Sequence, residues 1–375
     1  MQGWRIHAAR AGLPEAGFRH SSGGPQQLPA RSLVCVLGGR SEEYDRLAVD
    51  GLCDVALVPY YALPAGGDTF LNDDHAVTQA VLQMAAKAIK TTYGIHVPLK
   101  KLLQAKNDLN RQKSRDRMKN YWVEHNIYHY AVLDLEIGPN GKAASNVVRR
   151  VFALLKLFAK IQDAIRHELS LERKTEAQPD AYVILGVHLW VSTNDKLFKA
   201  LQKNVRSFSI SALIARTHIT ERDHNGCKTN GPAPYEIENN DNIMGMANAV
   251  AYVRTFAWVQ RTSLAVSFTL CTRWYRPKKE FLVGVDCLRD AVTVSSSGTM
   301  CSLSIEYRRL NLAVALFDVE CDDWHSECKR PSASHMRRFE RTRRMRAYLR
   351  GLQSSSYSNG NVTATCQGMQ RKVLI

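Results

Sequence analysis

Apolar residues in this chain fall in short unbroken runs rather than in strict alternation. Such runs cover 31–37, 53–60, 93–97, 127–137, 182–190, 207–217, 264–271 and 311–319, most of them closed by Gly, Pro, Asn or charged residues. Strands buried on both faces read this way, and they belong to parallel sheets covered by helices. Between them lie stretches with helical spacing. In 75–90, Val77, Val81, Met84, Ala85 and Ala88 share one face. The longest helix, 143–168, repeats Val147, Val151, Leu154, Leu155, Phe158 and Ile161. Further helices are predicted over 108–125, 194–204, 243–260 and 334–352. Strand followed by helix, about eight times over, predicts an α/β fold of the (β/α)8 barrel type. The barrel is expected as one degenerate domain over 31–352, with a disordered leader over 1–30 and a disordered tail over 353–375.

Composition narrows the classes. With 45% hydrophobic and 23% charged residues the chain has ordinary globular content. No run approaches the roughly 18 uninterrupted apolar residues of a membrane helix, which excludes a helical membrane span. The first thirty residues show no apolar core of a signal peptide. The net charge of +16 is concentrated: 87–119 and 329–350 each carry a net +8. Basic patches of this kind attract anionic glycans, acidic proteins or nucleic acid. In the second patch, Met345, Tyr348, Leu349 and Leu352 give the arginine-rich helix a core-facing side, which favours a packed helix with a solvated basic face over a nucleic-acid reader.

Nine cysteines are present and none forms a C-x-x-C pair. Cys321, His325 and Cys328, beside Asp322 and Asp323, come nearest to a metal box, but no second clustered pair completes it. No metal and no cofactor are predicted. The cysteines are either disulfides of an oxidising compartment or scattered thiols of a reducing one, and the odd count leaves at least one without an intramolecular partner. A glycosylation triplet stands at Asn361-Val362-Thr363.

Candidate chemistry centres on Asp134 and Glu136, near the end of the fourth predicted strand. Residues two apart on a strand face one way, so both carboxylates are expected to point into the barrel mouth, with Leu133, Leu135 and Ile137 turned outward. Active sites of this architecture sit there. Two neighbouring carboxylates compete for ionisation, which raises one pKa toward that of a general acid. The competing reading is a solvated strand end. Gly138-Pro139-Asn140-Gly141-Lys142 fails as a phosphate loop, because Ala143 stands where Ser or Thr must bind magnesium. No G-x-G-x-x-G and no G-x-S-x-G occurs at a suitable place.

The strand Tyr128-His129-Tyr130-Ala131-Val132-Leu133-Asp134-Leu135-Glu136 resembles the catalytic strand of chitinase-like glycoside hydrolases of family 18, whose signature is D-x-x-D-x-D-x-E. The acidic stretch Asp318-Val319-Glu320-Cys321-Asp322-Asp323-Trp324 resembles the exit of that family's last strand. Gly51-Leu52-Cys53-Asp54, Tyr93-Gly94-Ile95 and Glu124-His125-Asn126 are similar to divergent secreted members of the family from ticks. The resemblance covers about 31–352. It implies Glu136 as the acid that protonates the glycosidic oxygen and Asp134 as its partner, with the substrate's own N-acetyl group as nucleophile. Two signature acids are replaced by His129 and Val132, Leu135 replaces the aromatic between the last two, and the sixth strand lacks the family's Met-x-Tyr-Asp. Phe317 stands where the family has the tryptophan that floors the sugar site. These departures imply a catalytically silent, secreted barrel that binds a glycan or an extracellular protein, with Tyr60, Trp190, Trp274, Phe317 and Trp324 offering aromatic faces. The alternatives are an active hydrolase using Glu136 and an intracellular nucleic-acid-binding protein.

Overall fold

The computed structural model describes residues 26–38, 50–60, 70–136, 144–172, 179–188, 195–218, 246, 249–250, 262–269, 312–319, 339, 342–343, 345–347 and 349–350. Eight parallel strands close into one barrel in chain order. They are β1 (Leu33–Val36), β2 (Val55–Pro59), β3 (Thr92–His96), β4 (Ile127–Glu136), β5 (Val183–His188), β6 (Ala212–Ala215), β7 (Ser263–Thr269) and β8 (Ala313–Phe317). Closure is made by β1 against β8, with Val34 opposite Ala315 and Val36 opposite Phe317. The predicted barrel is therefore the observed one.

Five described helices flank the strands: α1 (Ala76–Lys87), α2 (Leu102–Leu109), α3 (Gln112–His125), α4 (Ala144–Glu172) and α5 (Asp195–Ser207). The helix expected over 108–125 is α3, starting at Gln112, and a further helix not expected from the sequence, α2, precedes it. Arg111 adopts an extended conformation and separates them, while Leu102, Ala105 and Leu109 bury one side of α2. Asn126 ends α3 in the left-handed region at φ 52°, a position asparagine tolerates, and its amide donates to the carbonyls of Ala85 and Ala88. That side chain ties the end of α1 to the start of β4.

Alternation along the strands makes two cores. Leu33, Cys35, Ala56, Val58, Tyr93, Ile95, Tyr130, Val132, Leu185 and Val187 face the helices. Val34, Val36, Val55, Leu57, Ala131, Leu133, Ile184, Ala212, Ile214, Ala265, Ala313, Ala315 and Phe317 fill the barrel, with Leu28 among them. Leu28 donates its N–H to the Ser211 carbonyl just before β6, so it stoppers the N-terminal end. Cys35 and Cys53 form a disulfide between β1 and the residues entering β2.

The orientation expected for β4 is corrected here: Leu133 belongs to the barrel interior, not to the helix-facing layer. Tyr130, Ala131 and Val132 pair in step with Val183, Ile184 and Leu185, but Leu135 then pairs with Val187 and Glu136 with His188. One extra residue is thus accommodated in β4, a bulge that resets which residues face inward. Leu135 returns to the helix-facing core. The bulge presses Leu133 toward β5, where a Cβ on Gly186 would lie 2.5 Å from its carbonyl oxygen. Glycine at that position is what admits the bulge.

Candidate functional site

The C-terminal mouth is built by the residues that follow the last inward apolar side chain of each strand. On β3, Gly94 faces Leu57 and His129 inside the barrel, so His96, two residues on, also points inward. On β5, Ile184 and Gly186 place His188 in the same way, and the residue is 3% exposed. Past β6, Ile214 sets the phase for Arg216, whose N–H donates to the Val187 carbonyl at 2.9 Å. On β7 the inward residues are Ala265, Ser267 and Thr269, and on β8 the last is Phe317.

These groups converge. The Arg216 guanidinium carbon lies 5.4 Å from the centre of the Phe317 ring, and the ring of His218 lies 4.3 Å from it. His218 Nδ1 is 2.6 Å from the Ser267 hydroxyl, which also accepts the Thr217 N–H at 2.9 Å. Thr269 donates to the Asp318 carboxylate at 2.8 Å. Burial pushes His96 down to about 4, partly offset by its hydrogen bond with the Leu37 backbone, and the charge of Arg216 pushes it the same way as burial. Burial and then Arg216 likewise push His188 down to about 4. Near neutral pH the described residues of the mouth therefore present the neutral imidazoles of His96 and His188, hydroxyls, the Arg216 guanidinium, the Asp318 carboxyl group and the Phe317 ring. That set hydrogen-bonds and stacks; it is suited to holding a polyhydroxylated ligand.

The residues singled out from sequence separate in space. Asp134 sits at the bulge, and both of its carboxylate oxygens lie 3.0 Å from the Leu99 backbone nitrogen, which donates to them from the loop after β3. The backbone of Glu136 pairs with His188, while its carboxylate lies outside the described residues' side chains. Phe317 stands at the mouth. Tyr60 is in the helix-facing layer, 4.8 Å from the Phe70 ring, with its hydroxyl donating to Asp108 at 2.9 Å. Trp190, Trp274, Trp324, Asn361 and the group Cys321, Asp322, Asp323, His325 and Cys328 lie outside the described residues, as do 1–25 of the leader and the tail expected over 353–375. Residues 26–30, expected in the disordered leader, are instead packed on the barrel through Leu28. Among the described residues no group of three His, Cys, Asp or Glu is placed to hold a metal ion. Nor is any described helix long and apolar enough to cross a membrane.

The two signature positions that lack acids have structural occupants. His129 is fully buried at the N-terminal end of the barrel. Thr92 donates its hydroxyl to the Asp54 carbonyl, so it accepts from His129 Nε2 at 2.7 Å, and His129 Nδ1 accepts the Tyr182 N–H at 3.1 Å. The ring stacks on Tyr182 at 4.7 Å, and burial, with a smaller push from Arg166, drives its pKa down to about 3. Val132 packs outward against the helices.

Sequence reasoning did not pick out His96, His188, Arg216, His218 or Ser267. The available signal was a polar residue two places beyond a small or apolar inward residue at a strand's C-terminal end, as in Gly94-Ile95-His96, Gly186-Val187-His188 and Ile214-Ala215-Arg216.

No family model matches the sequence, and no curated protein matches it. Solved structures do resemble it. A GH10 xylanase from Thermobacillus composti is 12% identical, covering 85% of this chain and 97% of its own at a TM-score of 0.45. A chitinase from Chromobacterium violaceum is 11% identical, covering 76% and 93% at 0.42. The tryptophan synthase alpha chain of Legionella pneumophila is 11% identical, covering 88% and 94% at 0.39.

Proposed function

We propose that this chain is a chitinase-like barrel without hydrolytic activity that binds a glycan at its C-terminal mouth and works outside the cell. The observation that carries this reading is the geometry of β4. Carboxylates acting together from one strand need positions two apart on one inner face. Here Val132 faces the helices, Leu133 faces inward, and the bulge intervenes before Glu136. Asp134 is meanwhile engaged by the Leu99 backbone. The imidazoles, the hydroxyls and the Phe317 ring at the mouth support retention of a sugar. The Cys35–Cys53 disulfide supports an oxidising compartment. A protein partner at the same mouth is the second occupant this reading allows.

The test is turnover. Wild type and Glu136→Gln are incubated with chito-oligosaccharides, and products are followed by mass spectrometry. The reading expects no product from either protein. Wild-type cleavage that Glu136→Gln abolishes establishes the active hydrolase instead.

A further inference from the structure

The flank of the barrel formed by α4 and α5 carries a second surface, separate from the mouth. Over 145–162 and 196–207 the sequence holds eight basic residues and no acidic one. The fold turns them one way. On α4, Val148, Val151, Phe152, Leu155 and Phe158 bury the side facing the strands. Arg149, Lys156 and Lys160, at i, i+7 and i+11, fall on the opposite side in one stripe about 16 Å long. On α5, Leu201 and Val205 are buried, and exposed Lys199, Lys203 and Arg206, at i, i+4 and i+7, make a second stripe. The helices are packed neighbours, and Lys156 Nζ reaches the Ser207 hydroxyl at 3.1 Å across them. The acids farther along α4 are engaged elsewhere: Glu168 and Glu172 both meet Lys119 of α3 at 2.9 Å, and Asp163 meets Arg166. Asp195 opens α5.

We propose that this double stripe is a docking surface for a linear sulfated glycan lying along the two helices. Two parallel rows of flexible cations on a convex flank suit a chain of regularly spaced sulfates and carboxylates, met as point charges. Nucleic acid fits less well. No aromatic side chain is exposed among the described residues of either helix to stack a base, and both helices are pinned to the barrel along their inner faces, unable to enter a groove. An oxidising compartment, indicated by the disulfide, is also where sulfated glycans are found.

The experiment measures binding of a size-defined heparin oligosaccharide as a function of salt. It compares wild type, Arg149→Glu/Lys160→Glu/Lys203→Glu and a charge-matched control, Lys87→Glu/Lys90→Glu/Lys106→Glu, whose three side chains are exposed elsewhere. The corresponding Gln triple at 149, 160 and 203 keeps the test open should charge reversal disturb folding, which circular dichroism monitors. Each lost contact removes about one released counterion, so the slope of log affinity against log salt should fall by about three in the stripe variants and stay unchanged in the control. Binding of a neutral chito-oligosaccharide should be the same in all four proteins, which separates this surface from the mouth. Equal loss in stripe variant and control overturns the proposal, since net charge alone then accounts for binding. Equal affinity for a desulfated oligosaccharide overturns it too, as does tighter binding of single-stranded DNA of matched charge.

Discussion

Replacing Gly186 with alanine tests the bulge on which the reading of β4 depends. A Cβ there would stand 2.5 Å from the Leu133 carbonyl oxygen, 2.9 Å from its Cα and 3.0 Å from its carbonyl carbon. All three are backbone atoms, so no rotamer change relieves the contact. β5 cannot retreat either, because Gly186 pairs with Ile214 of β6 within a closed ring of strands. Overpacking of a core costs about 1–3 kcal/mol where side chains can adjust, and a contact against backbone belongs at or above the upper end of about 3 kcal/mol. Gly94→Ala meets the same kind of obstacle, 2.5 Å from the His129 carbonyl oxygen and 2.6 Å from its Cβ. Gly51→Ala supplies the contrast. Its Cβ would meet only the flexible Lys90 side chain at 3.3 Å, and its φ of 75° costs alanine about 1–2 kcal/mol. Urea denaturation followed by circular dichroism should therefore rank Gly186→Ala and Gly94→Ala as clearly more destabilising than Gly51→Ala. A Gly186→Ala protein within about 0.5 kcal/mol of wild type, the scale of an ordinary surface change, would refute the claim that Leu133 is driven inward against β5.

Two further outcomes follow from the buried groups. Breaking the Cys35–Cys53 bond, which closes a loop of sequence separation 18, should cost about 3 kcal/mol by loop entropy; equal denaturation midpoints of the oxidised and reduced proteins would contradict it. His96, His129 and His188 have folded pKa values depressed to about 4, 3 and 4, below the unfolded value of about 6.5. The unfolded chain thus binds the protons first as pH falls. Stability is fully present above about pH 6.5 and declines toward pH 4, by up to about 1.4 kcal/mol per pH unit for each histidine, and a flat denaturation midpoint between pH 7 and 5 would exclude this.

The barrel was legible because its strands are buried on both faces and so appear as unbroken apolar runs, as in 182–190 and 311–319. The inner facing of particular residues was less so. Two-residue alternation placed Leu133 outward, and nothing within β4 announces the bulge; its cause lies across the ladder, where Gly186 leaves room. The mouth histidines and Arg216 come from three different strands, and each alone reads as a polar strand end. Charge arithmetic along the chain found the runs at 87–119 and 329–350, and part of the second is structural, since Arg346 pairs with Asp54 before β2. The stripe of α4 and α5 escaped that arithmetic. Outside those two runs the chain sums to zero, and only packing sorts the cations to one flank.

The most direct measurement of the central claim is histidine side-chain nitrogen NMR on the wild-type protein during titration with a chito-oligosaccharide. The mouth carries His96 and His188, and the opposite end of the barrel carries His129. Binding without turnover predicts that the His96 and His188 signals move, that His129 stays still, and that no new reducing-end sugar signals grow with time. Stationary mouth histidines at saturating sugar, or accumulating reducing ends, would contradict it.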